Sequence, residues 1–389
     1  MADWRDCTLG DLIHVKHGFA FLGEYFSDRG THVVLTPGNF FEGGGFRAKA
    51  DKEKWYTGPI QAEYVLRKGS LIVAMTEQAE GLLGSSALIP ADDHYLHNQR
   101  LGLVEVLGGT QADLGFVYHL FNSPPVRQQI RGSATGTKVR HTSPSRIGAV
   151  RIRVPAPAVQ RRIAQILSAY DELIENCEQR VFVLEQMASM LYREWFVLFR
   201  YPGREKVPLV DSPLGRVPRR WSLRKLGEVL ELRYGKALKA DARRGGEVPV
   251  FGSSGVVGQH DESLTTGPGI IVGRKGNVGS IFWSDTDFFV IDTAYFVSSR
   301  LPLRFLYFDL QRKNFINGDA AVPGLSRAQA YGLETLVPPD DLVQRFADLA
   351  EGFLRPSSML RRQADILRRT RDLLLPRLLS GQLAVDELL

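Results

Sequence analysis

The chain has 389 residues with 44% hydrophobic and 24% charged side chains, enough for two to three domains with their own cores and too apolar for a disordered polymer. Its formal net charge is +6, and its only cysteines are Cys7 and Cys177, which excludes a disulfide-built secreted scaffold and points to a reducing, cytoplasmic setting. No apolar run approaches the ~18 residues of a membrane span, and the first residues lack the profile of a signal peptide.

In chain order, residues 1–153 read as a mixed domain of short strands. His32–Leu35, Leu71–Ala74 and Leu101–Val106 are apolar runs of strand length with Gly, Pro, Asn or charged residues at their ends. Gly43–Gly45 is a loop tip, and Phe116–Phe121 opens a short helix that Pro124 and Pro125 interrupt before Val126–Ile130 restarts it. Gly132–Ser145 is a polar loop leading to a strand at Val150–Val154. From Arg131 to Arg162 there are eight Lys/Arg and no acidic residue, a stretch suited to a polyanion.

Residues 154–199 form a long central helix. Ile163, Tyr170, Cys177, Leu184 and Leu191 recur every seven residues. Ile166, Leu173, Met187 and Met190 supply a second apolar row, with Leu167, Ile174, Val181 and Ala188 beside them. Such a helix extends roughly 60 Å at ~1.5 Å per residue, so it serves as a spacer or docking post. Its end, Trp195-Phe196 and Leu198-Phe199, is more aromatic than a two-helix seam requires, and packing on a domain, the linker or a partner is expected. Residues 200–220, with Pro202, Pro208, Pro213 and Pro218, read as an extended linker.

Residues 221–337 read as a second domain, with strands at Val248–Phe251, Gly269–Val272, Ser280–Trp283 and Phe288–Ile291, and Gly-rich turns at Gly252–Gly258 and Gly273–Gly279. A distal helix occupies 338–389, where Phe346, Phe353, Leu360, Leu367 and Leu374 again step by seven. Pro356 falls inside these heptads and predicts a kink or break near Arg355–Ser358, with Ser357 or Ser358 capping the restart. Arg361, Arg362, Arg368 and Arg369 fall on the solvated outer face.

The chain is internally duplicated. The two helical heptad sets are offset by 183 residues throughout, and Val154-Pro155 matches Val337-Pro338 at that same offset. Trp4, Leu9-Gly10-Asp11 and Gly18 match Trp221, Leu226-Gly227-Glu228 and Gly235 at an offset of 217. The difference of 34 makes the second domain the shorter, and the order is domain, helix, domain, helix.

This layout resembles the specificity subunit of type I restriction–modification systems. Asp211-Ser212-Pro213-Leu214-Gly215-Arg216-Val217-Pro218 through Trp221 is similar to the family's D-S-x-L-G-x-I-P-x-x-W phrase. Val250–Gly255, Arg274-Lys275-Gly276-Asn277-Val278-Gly279 and Asp292-Thr293-Ala294-Tyr295 resemble one pattern of its target recognition domains. Gly18–Phe21, Pro37–Phe40 and Asn98-Gln99-Arg100 are similar to another. The resemblance implies an α+β protein with two mixed α/β target recognition domains separated by two long helices that form an antiparallel coiled coil. Each domain would read one half of a split double-stranded DNA site, with the helices holding the readers apart. Methyltransferase subunits, two of them, would bind S-adenosylmethionine and methylate adenine, and a restriction/translocase subunit would join. This chain would hold no cofactor and would supply sequence choice alone.

Catalytic readings fail on the residues themselves. No glycine motif for S-adenosylmethionine follows a strand. Asn122-Ser123-Pro124-Pro125-Val126 has Ser and Val where the N-P-P-aromatic loop of adenine methyltransferases needs Pro and an aromatic ring. Gly132–Lys138 lacks the spacing of a P-loop, and His14/His17 and His94/His97 lack a metalloprotease glutamate or neighbouring cysteines. Binding chemistry remains. Phosphate contacts draw on Lys, Arg and main-chain N–H groups, and base contacts on Arg, Lys, Asn and Gln. The candidates are Thr76, Asn98, Gln99, Arg100, Lys138, Arg140 and His141 in the first domain and Arg274, Lys275 and Asn277 in the second, with Lys138 and Arg140 better suited to the DNA backbone. The competing reading is a duplicated protein-binding scaffold, which salt-dependent, sequence-specific duplex binding would separate from the first.

Overall fold

The computed structural model describes residues 4–49, 52–77, 81–315 and 324–385. It divides into two compact units, Met1–Glu175 with Ala364–Leu389 and Asn176–Gln363, so each globular domain is joined to a stretch of both long helices.

In the first unit the chain runs through β1 (Arg5–Thr8), β2 (Ile13–His17), β3 (Phe26–Ser27), β4 (His32–Val34), β5 (Trp55–Tyr56), β6 (Leu71–Ala74), β7 (Thr76–Glu77), β8 (Ser86–Leu88), β9 (Tyr95–Leu96) and β10 (Leu101–Val106). It then becomes helical in α1 (Leu114–Phe121) and α2 (Pro124–Gly132), and closes through β11 (Arg140–His141), α3 (Pro144–Gly148) and β12 (Arg151–Val154). The central sheet has the order β2-β10-β6-β8. Every residue of β6 is buried, because its alternating side chains face two cores. Leu71 and Val73 pack with Phe116, Phe121 and Ile130 under the helices. Ile72 and Ala74 pack with Val33, Leu35 and Tyr95 against the second sheet, β3-β5-β4-β9. Pro124 starts α2 as its first residue, where a missing N–H costs nothing. At the base of the domain β1 pairs antiparallel with β12.

The long helix α4 (Pro157–Tyr192) ends in a π-helical turn at Arg193–Val197. The segment expected to be an extended linker is instead a hairpin, β13 (Leu209–Ser212) against β14 (Gly215–Pro218). Its turn is held by the Ser212 hydroxyl, which donates to the Gly215 carbonyl at 2.6 Å, and the prolines stand where they leave the ladder intact: Pro208 ahead of it, Pro213 in the turn and Pro218 at its end.

The second unit repeats the plan through β15 (Ser222–Lys225), α5 (Leu226–Val229), β16 (Leu230–Tyr234), β17 (Val248–Gly252), β18 (Gly255–His260), β19 (Gly269–Gly273), β20 (Ile281–Ser284), β21 (Phe289–Val290), β22 (Ala294–Ser299), α6 (Leu303–Leu310), α7 (Arg327–Gly332), β23 (Glu334–Val337) and α8 (Asp340–Leu379). Its central sheet, β16-β22-β19-β20, is the counterpart strand for strand of β2-β10-β6-β8, and β15 pairs with β23 as β1 does with β12. Gly18 and Gly235 mark the duplicated end of the first sheet strand. A Cβ at either would lie 2.2 Å from a main-chain oxygen, of Asn98 and Ile291 respectively, so only glycine fits. The expected turn over Gly252–Gly258 is corrected: β17 runs through Gly252, Ser253-Ser254 make a two-residue turn, and β18 begins at Gly255, whose φ of +94° glycine accommodates.

Two expectations about the helices are also corrected. The buried second row of α4 is Leu167, Ile174, Val181 and Ala188, while Leu173, Met187 and Met190 are exposed. Within the first row, Ile163 and Cys177 are buried and Tyr170, Leu184 and Leu191 half-buried. Seam rows alternate three and four residues apart, so the partner row begins four residues after Ile163, not three. On α8, Phe346 and Leu360 are buried and Phe353, Leu367 and Leu374 half-buried; the deepest row lies three residues earlier, at Val343, Ala350, Ser357 and Ala364, and ends at Leu378 after the half-buried Arg371. Helix α8 also passes Pro356 unbroken. Pro356 and Gly352, whose carbonyl loses its donor, both face solvent, while Leu354, Ser357 and Leu360 anchor the turn on the buried side. Ser357 caps nothing: its hydroxyl donates to Glu185 at 2.9 Å. In the second unit Tyr192 meets Phe346 and Glu185 meets Ser357, so the two helices run antiparallel there. In the first unit Asp171 pairs with Arg371 at 2.5 Å. Arg362 and Arg369 are exposed as expected, Arg368 pairs with Asp365 on its own helix, and Arg361 reaches across to Glu185. The aromatic end of α4 belongs to the core of the second domain, where Trp195 and Phe196 pack with Trp221, Phe305 and Phe346.

Candidate nucleic-acid interface

Both domains build a patch at one end of the central sheet, where three chain segments meet. In the first domain the Met75 N–H donates to the Arg100 carbonyl at 3.0 Å, and the Thr142 N–H donates to the Met75 carbonyl at 2.9 Å. In the second, the Arg274 N–H donates to the Thr293 carbonyl at 2.9 Å, and the Leu325 N–H donates to the Arg274 carbonyl at 2.8 Å. A serine then caps the next helix in each: Ser143 accepts the Arg146 N–H at 3.3 Å, and Ser326 the Gln329 N–H at 3.1 Å.

The first patch gathers six of the seven first-domain candidates directly. Strand β11 pairs with β7, setting Arg140 opposite Glu77 and His141 opposite Thr76. The turn Asn98–Arg100 adjoins them through Met75. Thr76 is buried and its hydroxyl lies 3.1 Å from His141 Nδ1, so it orients the exposed imidazole. Arg140 is half-buried and donates to the Arg131 carbonyl at 2.9 Å. Asn98 accepts the Arg100 N–H at 3.0 Å, which closes the turn and leaves the Gln99 and Arg100 side chains exposed. Lys138 stands exposed in the loop that the Thr135–His141 pairing closes.

Two further residues hold this patch. Glu77 is buried and accepts the Leu83 N–H at 2.8 Å, and Arg127 donates to the carbonyls of Leu83, Glu42 and Gly81. His97, fully buried beside the turn, lies 3.0 Å through Nε2 from the Leu101 carbonyl, and burial pulls its pKa down to about 4. It is therefore a neutral structural histidine, and among the described residues no cluster of His, Cys, Asp and Glu could hold a metal ion. Asn122, in the proline-rich motif, accepts the Ser86 N–H at 3.1 Å and joins α1 to the sheet.

In the second domain Arg274, Lys275 and Asn277 share one loop. Lys275 pairs with Asp292 at 3.3 Å, and Asn277 donates to the Ser254 hydroxyl at 3.0 Å. Arg274 donates to the Asp292 carbonyl at 3.2 Å and lies over two aromatic rings, 5.0 Å from Tyr234 and 5.6 Å from Tyr295. The guanidinium of Arg327 lies 4.3 Å from the Tyr234 ring on the same cluster. The neighbouring Tyr295 hydroxyl, and then the Arg327 guanidinium, hold the Tyr234 phenol below the ordinary tyrosine range. These residues border an open cavity of about 640 Å³. Tyr234, Tyr295 and Arg327 were missing from the candidates read from sequence. The Ser326–Gln329 capping box marks the start of a helix at Arg327, yet only the β16–β22 pairing brings Tyr234 beside Tyr295 and so toward it.

A family model described as the type I restriction modification DNA specificity domain matches residues 1–186 and 218–327. The type I restriction enzyme MjaIX specificity subunit of Methanocaldococcus jannaschii is 24% identical over 308 residues, 70% of each chain. The MjaVIII specificity subunit of the same organism is 28% identical over 124 residues, 31% of this chain and 28% of the relative. Among solved structures, the S subunit of a type I restriction–modification system from M. genitalium superposes with a TM-score of 0.65 at 18% identity, covering 97% of this chain and 96% of the other.

Proposed function

The chain belongs to the type I restriction modification DNA specificity domain family as a specificity subunit, and we propose that its two domains each read one half of a bipartite duplex DNA site. The observation that carries this reading is the duplication itself. One scaffold occurs twice, with matching sheet order and matching patches at the sheet end, but with different side chains in the two patches. A shared scaffold with different surface residues is what reading two different words requires.

In this reading the exposed Gln99, Arg100, Lys138 and His141 contact DNA from the first domain, and Arg274, Lys275 and Asn277 from the second. Thr76 and Arg140 position their neighbours. The chain carries out no chemistry. Two methyltransferase subunits bring S-adenosylmethionine and methylate adenine, and a restriction/translocase subunit completes the complex. Exposed apolar side chains on the long helices support docking of such partners: Phe182, Val183, Met187 and Met190 on α4, and Met359, Ile366 and Leu373 on α8. Among the described residues no helix is long and apolar enough to cross a membrane.

The test is methylome sequencing of cells that express the chain with and without its methyltransferase. A split adenine-methylated motif present only with both proteins supports the reading. A soluble complex that leaves no motif overturns it and favours a protein-binding scaffold.

A further inference from the structure

We propose that Arg327, together with Arg274 on the Tyr234–Tyr295 platform, reads guanine in the half-site of the second domain. The proposal rests on the DNA-reading function above and adds Arg327 and the Tyr234 ring to Arg274, which the sequence already offers as a DNA contact.

The platform is built rather than incidental. Tyr295 is buried and donates through its hydroxyl to the Leu325 carbonyl at 2.9 Å, which fixes its ring. Tyr234 packs on it at 5.1 Å while remaining 46% exposed. Two guanidinium groups are then held on the exposed ring, Arg327 at 4.3 Å and Arg274 at 5.0 Å. Among the described residues neither pairs with a carboxylate: Arg274 donates to the Asp292 main-chain carbonyl, and Arg327 rests on the Tyr234 ring. Two like charges therefore sit on one tyrosine ring without a carboxylate partner among the described residues, bordering an open cavity of about 640 Å³. A nucleic acid supplies what is missing.

The duplication indicates a base rather than a phosphate. Strand register and the shared serine cap place His17 where the second domain has Tyr234, Gly102 where it has Tyr295, Met75 where it has Arg274, and Pro144 where it has Arg327. The first domain has no cation at the two arginine positions, and Met75 is buried there. Gripping the DNA backbone is a task common to both domains and belongs to what they share. A device present in one alone belongs to the word that domain reads. Guanine is the base matched by an arginine fork, through O6 and N7 at the major-groove edge, and stacking on tyrosine fixes the fork before binding.

The experiment uses the full chain in complex with its methyltransferase, selecting from randomised duplex DNA and sequencing the bound pool. Wild type should select a split site. Both Arg327→Ala and Arg327→Lys should lose the preference for one guanine in one half-site, by about ten- to a hundredfold, and keep the other half-site unchanged. Lysine retains the charge but not the fork, so it separates base reading from phosphate binding. Binding that Arg327→Lys retains with an unaltered site overturns the proposal, as does a uniform weakening across sequences. If Arg327→Ala yields no complex, the lysine variant and Arg274→Ala decide, the latter by the same loss at a guanine of the same half-site. A wild-type complex that selects no split site would refute the DNA-reading function itself, whereas a selected site unaltered in all three variants refutes only the role of the platform.

Discussion

The hydroxyl of Tyr192, on the central helix, donates at 3.1 Å to the buried carboxylate of Asp309 on α6 of the second domain. The same carboxylate accepts Thr335 at 2.9 Å and pairs with Lys313 at 3.1 Å. One acid thus joins the long helix, the domain helix and the closing strand β23. Burial pushes the Tyr192 phenol well above its ordinary range, so it stays a donor. Asp309→Ala leaves two buried hydroxyls without their acceptor and Lys313 with the Glu334 carbonyl alone, and should cost about 3 kcal/mol. Tyr192→Phe removes a single bond and should cost about 1 kcal/mol. Urea denaturation of the two variants measures both, and equal costs would show that Asp309 is no hub.

Much of this architecture was legible in the sequence, for identifiable reasons. The two offsets mark the strands that close each domain, because β1 and β15 follow the 217-residue repeat and β12 and β23 the 183-residue repeat. Leu71–Ala74 was readable as a strand because a four-residue apolar run fits burial on both faces. The second seam row was misplaced because apolar residues occupy both the +3 and the +4 positions after Ile163, and only packing decides between them. The first-domain candidates converge because they flank β7 and β11, yet Thr76 and Arg140 are largely engaged within the protein. Tyr234 and Arg327 stayed hidden since their meeting depends on sheet register across 93 positions of chain.

The course of α8 through Pro356 makes the proline a cost that the helix tolerates. Replacing it by alanine restores the donor for the solvent-facing Gly352 carbonyl and removes the ring clash. Pro356→Ala should stabilise the chain by about 1–3 kcal/mol, raising the denaturation midpoint at unchanged slope. A loss of stability would mean that the proline sets a bend on which the packing depends.

Two buried histidines predict acid sensitivity of the first domain. Burial lowers the pKa of His97 to about 4 and that of His119 to about 3, against an ordinary value near 6.5. With the folded pKa depressed, the unfolded chain takes up protons first as pH falls below about 6.5, and stability is lost until the folded pKa is reached. Between pH 7 and 5 each histidine should remove about 2 kcal/mol. Urea titrations at the two pH values, for wild type and for His97→Gln and His119→Gln, should show the pH dependence shrinking in each variant.

The exposed apolar side chains of α4 give a test of partner docking that leaves the fold alone. Val183, Met187 and Met190 follow i, i+4, i+7 spacing and share one face. Met187 and Met190 are 39% and 55% exposed, so replacing both by glutamate should change stability by less than about 1 kcal/mol. Co-purification with the methyltransferase should nevertheless be lost. Retention of the partner at wild-type yield would place docking elsewhere.

Lys138 should behave differently from Arg327. It is exposed in the loop closed by Thr135 and His141, inside the stretch from Arg131 to Arg162 that carries no acidic residue. A lysine is a mobile point charge without a fork, suited to a phosphate and poor at distinguishing bases. Lys138→Ala should weaken binding to matched and unrelated duplexes alike and reduce the slope of log affinity against log salt by about one. Titrations of the complex at several salt concentrations, on the selected site and on a scrambled duplex, give both quantities. A variant that keeps its salt slope but loses preference at one base pair would make Lys138 a reader of sequence, and would show that the first domain places a base contact on a loop where the second uses an aromatic platform.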